Sequence, residues 1–183
     1  TAICTLRPET LSLHAGEICW PGGRREPEDV NLVATALREA HEELGIFQPR
    51  VLGRLSSVPL FTSDYRLEPF VTDVTAEDLT ADPAEVAAVI ELNVSAVLQR
   101  ESLWAIPYTH NGRSLSAPVF EAGNAWMYGA TAFVFYELLT VLAPLYGVPM
   151  PPFRTAPITW EDVLPENVAD RLIGRGPLED TDG

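Results

Sequence analysis

The chain has no lysine. All twelve of its strongly basic side chains are arginine, against 26 Asp and Glu, which leaves a formal net charge of −14. A field of that sign disfavours a nucleic-acid backbone or an anionic membrane as partner. Cysteine is scarce as well. Cys4 and Cys19 both fall in short apolar stretches. Two such thiols make no disulfide framework and suit a reducing, cytoplasmic setting. Long apolar runs are missing too. A bilayer span needs roughly 18 residues, and the longest candidate, residues 130–146, is interrupted by Glu137, Thr140 and Pro144. It reads as a buried helix. No internal repeat is visible. With 183 residues, one domain with a sizeable core is expected.

What is present centres on residues 21–46, PGGRREPEDVNLVATALREAHEELGI. Two glycines open a charged loop, and a helical pattern follows over residues 30–44. Asp29 is the expected N-cap. Val33, Ala36, Leu37, Ala40 and Leu44 form an apolar stripe at helical spacing. Glu39, Glu42 and Glu43 fall on the opposite side, one turn apart, where their carboxylates can converge. Gly45 is the expected C-terminal stop.

Around this stretch the pattern is mostly strand. Residues 2–6 and 17–20 read as short strands, and 50–58 and 67–74 as longer ones. Residues 86–92 suit a strand or a helix, and 94–100 a short helix. Asn111-Gly112 between the apolar runs 103–108 and 114–120 predicts a hairpin. Residues 125–128 read as the last strand, followed by a buried helix over 129–142. From Pro144 on, proline is dense and the end is acidic. That tail reads as extended, with a short helix near 166–172. The sum is a mixed sheet covered by helices, an α+β protein. A domain over 1–143 with a proline-rich extension over 144–183 is expected, the extension packing on the domain or lying in part disordered.

Hard divalent cations such as Mg2+ or Mn2+ take oxygen ligands. Glu39, Glu42 and Glu43 can supply carboxylates, and the loop can add a main-chain carbonyl at Gly22 or Gly23 because glycine permits close approach. Arg38 can hold one glutamate in place. Glutamate and arginine are also good helix formers, so a solvated helix face would account for REAHEEL alone. The adjacent Gly-rich loop tips the reading towards a metal site.

The segment GGRREPED…REAHEELGI resembles the Nudix box, G-x5-E-x7-R-E-U-x-E-E-x-G-U, where U is a bulky aliphatic residue. Arg38, Glu39, Ala40, Glu42, Glu43, Gly45 and Ile46 follow its second half in order. Asp29 stands in place of the first glutamate, six residues after Gly23, and eight residues rather than seven separate it from Arg38. That spacing is similar to the coenzyme A pyrophosphatase branch. Ile3-Cys4-Thr5-Leu6-Arg7, Gly16 and Trp20-Pro21-Gly22-Gly23 resemble the branch's upstream motif, with Pro8, Ser12 and Trp20 departing from it. Residues 125–139 resemble its C-terminal segment, with Phe133 in place of an arginine.

The resemblance implies a Nudix-like α/β/α sandwich with a mixed sheet. It implies metal-dependent hydrolysis of a nucleoside diphosphate-linked small molecule, coenzyme A or an acyl-CoA giving 3′,5′-ADP and 4′-phosphopantetheine. Glu39 and Glu43 are then the principal metal ligands, with Gly23 beside them. Glu42 is a further ligand or the base, and Arg38 orients them. Glu85, in a segment similar to the branch's, is a candidate distal base. Arg7, Arg24 and Arg25 are the cations nearest the loop, with Arg7 and Arg24 the candidate phosphate contacts. Trp20, Phe61 and Tyr65 could stack on adenine or simply pack. His41 reads as surface or packing, and His14 and His110 as loop histidines. Two other functions stay open: a Nudix hydrolase of ADP-ribose or another diphosphate, and a catalytically silent Nudix-fold binding module. A homodimer is compatible with the sequence, which does not decide oligomeric state.

Overall fold

The computed structural model describes residues 1–11, 14–60, 63–75, 79–110, 112–164 and 168–170. Ser12, Phe61 and most of the expected 166–172 helix lie outside them.

Strand β1 (Ala2–Leu6) takes the predicted span and is the middle strand of a three-stranded antiparallel sheet. It pairs with β2 (Ile18–Cys19), Thr5 opposite Cys19. On its other edge is β7 (Ala88–Leu92), with Cys4 opposite Ile90. Helix α1 (Leu32–Leu44) follows β2. The segment expected as one strand over 50–58 is two, β3 (Arg50–Arg54) and β4 (Val58–Pro59). Its partner segment is also two, β5 (Arg66–Leu67) and β6 (Phe70–Asp73). The interruption has a cause on a distant helix. The Ser56 backbone N–H donates to the Glu137 carboxylate at 3.0 Å, and the Ser56 hydroxyl donates to it at 2.8 Å. The main-chain donor that would continue a ladder is therefore used elsewhere.

After β7 comes the short helix α2 (Val94–Leu98), capped by Asn93. The expected hairpin follows, β8 (Leu103–His110) and β9 (Arg113–Pro118), with His110 opposite Arg113 and Gly112 at φ 71. Two short strands, β10 (Phe120–Ala122) and β11 (Ala125–Met127), lead into helix α3 (Gly129–Tyr146). Residues 125–127 are not the last strand. β12 (Phe153–Thr155) runs parallel to β8, Arg154 opposite Trp104. The sheet is thus mixed, and part of the proline-rich extension belongs to it. The short helix α4 (Trp160–Val163) begins on a Thr159 capping box, and residues 168–170 are helical as well.

Two sequence expectations about helices are corrected. Helix α1 starts at Leu32 with Asn31 as its N-cap, the Asn31 side chain accepting from Ala34 N at 2.9 Å. Asp29 is drawn away by a stronger partner, described below. Helix α3 runs through Pro144 to Tyr146 rather than stopping at 142. Proline removes one main-chain donor and crowds the carbonyl four residues back. In the last turn that costs little, and Gly147 at φ 67 closes the helix on the carbonyls of Ala143 and Pro144.

Helix α3 is long and apolar enough to cross a membrane by length and composition alone. Here it supplies the core: Phe135, Leu139 and Ala143 pack with Cys4, Leu103, Phe120 and Met127. A second cluster joins Ile106, Val119 and Trp160, with Trp126 and Phe133 against it. The first cluster takes in β1, β2 and β8 through Cys4, Ile18 and Leu103, and so fixes the platform from which the Gly22–Gly23 loop leaves.

Candidate metal and substrate site

The loop after β2 lies on one face of α1. Thr35, Glu39 and Glu43 recur every four residues and line that face, so they stack along the helix. Thr35 and Glu43 are buried, and Glu39 is 14% exposed. The sequence expectation groups the three glutamates on one side, opposite the apolar stripe; the structure separates them, with Glu42 51% exposed and Glu43 4% exposed. The loop is what covers them. Gly22 N–H donates to Glu43 Oε1 at 3.4 Å. Gly23 packs directly on Glu39, and a Cβ at that position would overlap the carboxylate.

Arg38 is the hub of the cluster. Its Nε and Nη2 donate to the two oxygens of Asp29, each at 3.2 Å. Its Nη1 donates to Glu42 Oε2 at 2.7 Å, and its Nη2 pairs with Glu39 Oε1 at 2.9 Å. The same Nη2 donates to the Arg24 carbonyl at 3.1 Å. A planar guanidinium presents five donors in a rigid fork, which lets one side chain hold two helix carboxylates and the loop together. Asp29 is buried and also accepts from Glu26 N at 2.9 Å. The Arg38 hydrogen bonds, helped by that backbone N–H, hold its carboxyl down at about 2. This is why Asp29 does not cap the helix. A bidentate charged pair outweighs a single cap bond.

Electrostatics separate the glutamates. Burial pushes the Glu43 carboxyl up to about 7. The Gly22 N–H and Arg7 oppose the shift, and the charges of Glu39 and Glu85 add to it. Glu39 is also raised, by burial first, with Arg38 opposing and the charges of Glu42 and Glu85 adding. Glu85 therefore acts electrostatically on both. It is delivered by a turn hydrogen-bonded to the end of α1: Asp82 N donates to the Glu43 carbonyl at 2.9 Å, and Thr80 N to the Leu44 carbonyl at 2.8 Å. Glu85 N and Val86 N then close on Asp82 O.

The other sequence candidates are placed as follows. Arg7 faces Cys19 and Glu43, and its Nε is buried without a hydrogen-bond partner. Arg24 lies over the Tyr65 ring at 4.7 Å. Arg25 donates to the Asp29 carbonyl through Nε and Nη2 at 3.2 and 3.0 Å. Trp20 donates its indole N–H to the Thr131 carbonyl at 3.0 Å, and its ring packs on Phe135. That contact joins it to the core. His41 is exposed, edge-on to Phe47. His14 pairs with Glu17 at 2.9 Å. Sequence reasoning missed the Asp29–Arg38 pair and the Arg24–Tyr65 stack. The place of Asp29 in the box was the available signal for the first; nothing local signals the second.

Among the described residues, no three Asp, Glu, His or Cys side chains already converge on one point as an ion would require. The donor chemistry still fits a hard divalent ion. Glu39 and Glu43 are carboxylates removed from water, Glu43 destabilised further by the charges of Glu39 and Glu85, and Glu39 by those of Glu42 and Glu85. A cation relieves that repulsion and supplies what desolvation removed.

The NUDIX domain model matches residues 6–111 of the chain. The chain is 34% identical over 142 residues to a protein named "Uncharacterized Nudix hydrolase NudL" from Photorhabdus laumondii, which covers 75% of each chain. It is 33% identical over 153 residues to the mitochondrial coenzyme A diphosphatase NUDT8 of Mus musculus, covering 79% of this chain and 72% of the relative. A NudL protein of Yersinia pestis is 32% identical over 142 residues, covering 75% of this chain and 70% of the relative. Nudix hydrolases generally use divalent metal ions and act on nucleotide-linked small molecules. With its Arg38-centred carboxylate cluster under a glycine loop, the chain belongs to the Nudix family of pyrophosphohydrolases.

Proposed function

We propose that the protein hydrolyses the diphosphate of coenzyme A or an acyl-CoA, giving 3′,5′-ADP and (acyl-)4′-phosphopantetheine. The observation that carries the substrate class is the similarity to the mouse coenzyme A diphosphatase across 79% of the chain. In this reading Glu39 and Glu43 would hold Mg2+ or Mn2+, with the Gly23 main chain beside them and Glu42 a further donor or the base. The bound ion would polarise the diphosphate and lower the pKa of the attacking water. Arg38 keeps Glu39 and Glu42 in position. Glu85 or Glu42 takes the proton from water as the P–O bond to the bridging oxygen breaks. One product leaves with the bridging oxygen, and the other keeps the oxygen from water.

A second reading is favoured by Phe133. It packs in the apolar cluster with Trp126 and Trp160, where the coenzyme A branch has a cation. Loss of that cation suits ADP-ribose or another diphosphate. Incubation with coenzyme A and Mn2+, followed by product identification, tests the first reading. Release of 3′,5′-ADP supports it; untouched coenzyme A alongside cleaved ADP-ribose replaces it with the second. Full hydrolytic activity in both Glu42→Gln and Glu43→Gln would sink the metal-site assignment.

A further inference from the structure

A chain of net charge −14 must hold a polyanionic substrate against its own field, so the state of each arginine near the loop matters. Arg38 is saturated by Asp29, Glu39, Glu42 and the Arg24 carbonyl. Arg25 is spent on the Asp29 carbonyl. Arg7 is turned towards Cys19 and Glu43. Arg24 differs. Among the described residues its guanidinium has neither a carboxylate nor a carbonyl partner, and it lies over the Tyr65 ring, 4.7 Å from the ring centre.

Both members of that pair are held from behind. Arg24 follows the glycine that packs on Glu39, and its carbonyl accepts from Arg38. Its backbone is thus fixed against the carboxylate cluster. Tyr65 closes the β4–β5 turn, its carbonyl accepting from Leu60 N at 2.9 Å, while its side chain remains 55% exposed. A guanidinium stacked on an aromatic face loses rotamer freedom but keeps its in-plane N–H donors. Those donors match phosphoryl oxygens in a bidentate way.

We propose that Arg24 is the phosphoryl anchor of the substrate and that Tyr65 is the positioning residue that orders it. This rests on the diphosphate-hydrolase reading but not on coenzyme A as the particular substrate. It explains how an acidic protein without lysine recruits a phosphate ester: an arginine beside the loop, engaged among the described residues by neither a carboxylate nor a carbonyl, is kept ready on an aromatic face.

The test uses the full chain with Mg2+ and two readouts, equilibrium titration with inorganic pyrophosphate and steady-state kinetics on whichever diphosphate the wild type cleaves. Arg24→Ala is expected to weaken pyrophosphate binding and raise KM by about tenfold or more, with kcat changed much less. Tyr65→Ala should raise KM about threefold, and Tyr65→Phe should restore the wild-type value because it keeps the ring face. In the Arg24→Ala background, Tyr65→Ala should add nothing, since it acts through Arg24. Unchanged pyrophosphate affinity and KM in Arg24→Ala, or no pyrophosphate binding by the wild type, overturns the proposal. So does a Tyr65→Ala effect of the same size with and without Arg24. If the wild type cleaves no diphosphate yet binds pyrophosphate in an Arg24-dependent way, the hydrolase reading fails and this anchor stands.

Discussion

Gly23 and Glu39 are in direct contact, and a Cβ added to the glycine would overlap the carboxylate. A methyl group on Gly23 forces the end of a flexible side chain aside, which the fold tolerates easily. The site does not. Gly23→Ala is expected to lower kcat by about a hundredfold, the scale of a 1 Å misplacement, while the urea midpoint moves little. A large loss of stability with normal kcat in the surviving folded fraction would refute the contact's role.

Asp29 and Arg38 make a pH-dependent brace. The folded Asp29 carboxyl sits at about 2, below its ordinary value of 3.8. A depressed acid contributes stability that is fully present above its unfolded pKa and is lost as pH falls through the folded one. The window therefore runs from about pH 4 down to about pH 2. Urea unfolding across that range should show wild type losing stability relative to Asp29→Asn. At neutral pH the Asn variant should lose about tenfold in activity, because Arg38 no longer has its bidentate partner.

Glu43 tests the cation. In wild type, a divalent ion at about a hundred times its Kd should raise stability by about 2.7 kcal/mol, a Tm shift of roughly 5–10 °C at this chain length. A chelator should abolish the shift. Glu43→Gln should lose it, and without metal the variant should be at least as stable as wild type, since a buried carboxylate near Glu39 and Glu85 has been neutralised. Thermal scans with and without Mg2+ decide this. An equal shift in both proteins would remove Glu43 from the ligand set.

Phe135 tests the platform. It is fully buried, with the Phe120 ring at 4.8 Å and the Trp20 ring at 5.9 Å. Phe135→Ala should cost about 3–5 kcal/mol in denaturant unfolding. Trp20 emission should shift as its packing partner disappears. A loss below about 1 kcal/mol would mean that the helix relaxes into the space.

Local patterns were legible wherever a residue's neighbours in sequence are also its partners in space. The span of β1, the Gly45 stop at φ 68 and the hairpin turn at Gly112 all follow from propensity and turn chemistry. The N-cap was misread because Asp29 and Asn31 are both competent caps. Arg38, nine residues on, decides between them. The single strand expected over 50–58 failed for a similar reason. Glu137, 81 residues away, takes the Ser56 donor. The proline at 144 looked like a stop, but its place in the final turn made its missing donor nearly harmless.

Local sequence is enough for the family resemblance and for the spacing that puts Glu39 and Glu43 on one line of a helix, because a period of 3.6 residues is a local property of the backbone. It could not determine that Glu43 is buried while Glu42 stays in water, that Trp20 joins the core, or that Arg24 rests on Tyr65. Those depend on which distant segments cover each face. The glycine loop, the turn at Asp82 and the β4–β5 hairpin arrive from elsewhere in the chain, and the burial they impose gives adjacent glutamates of one helix different surroundings.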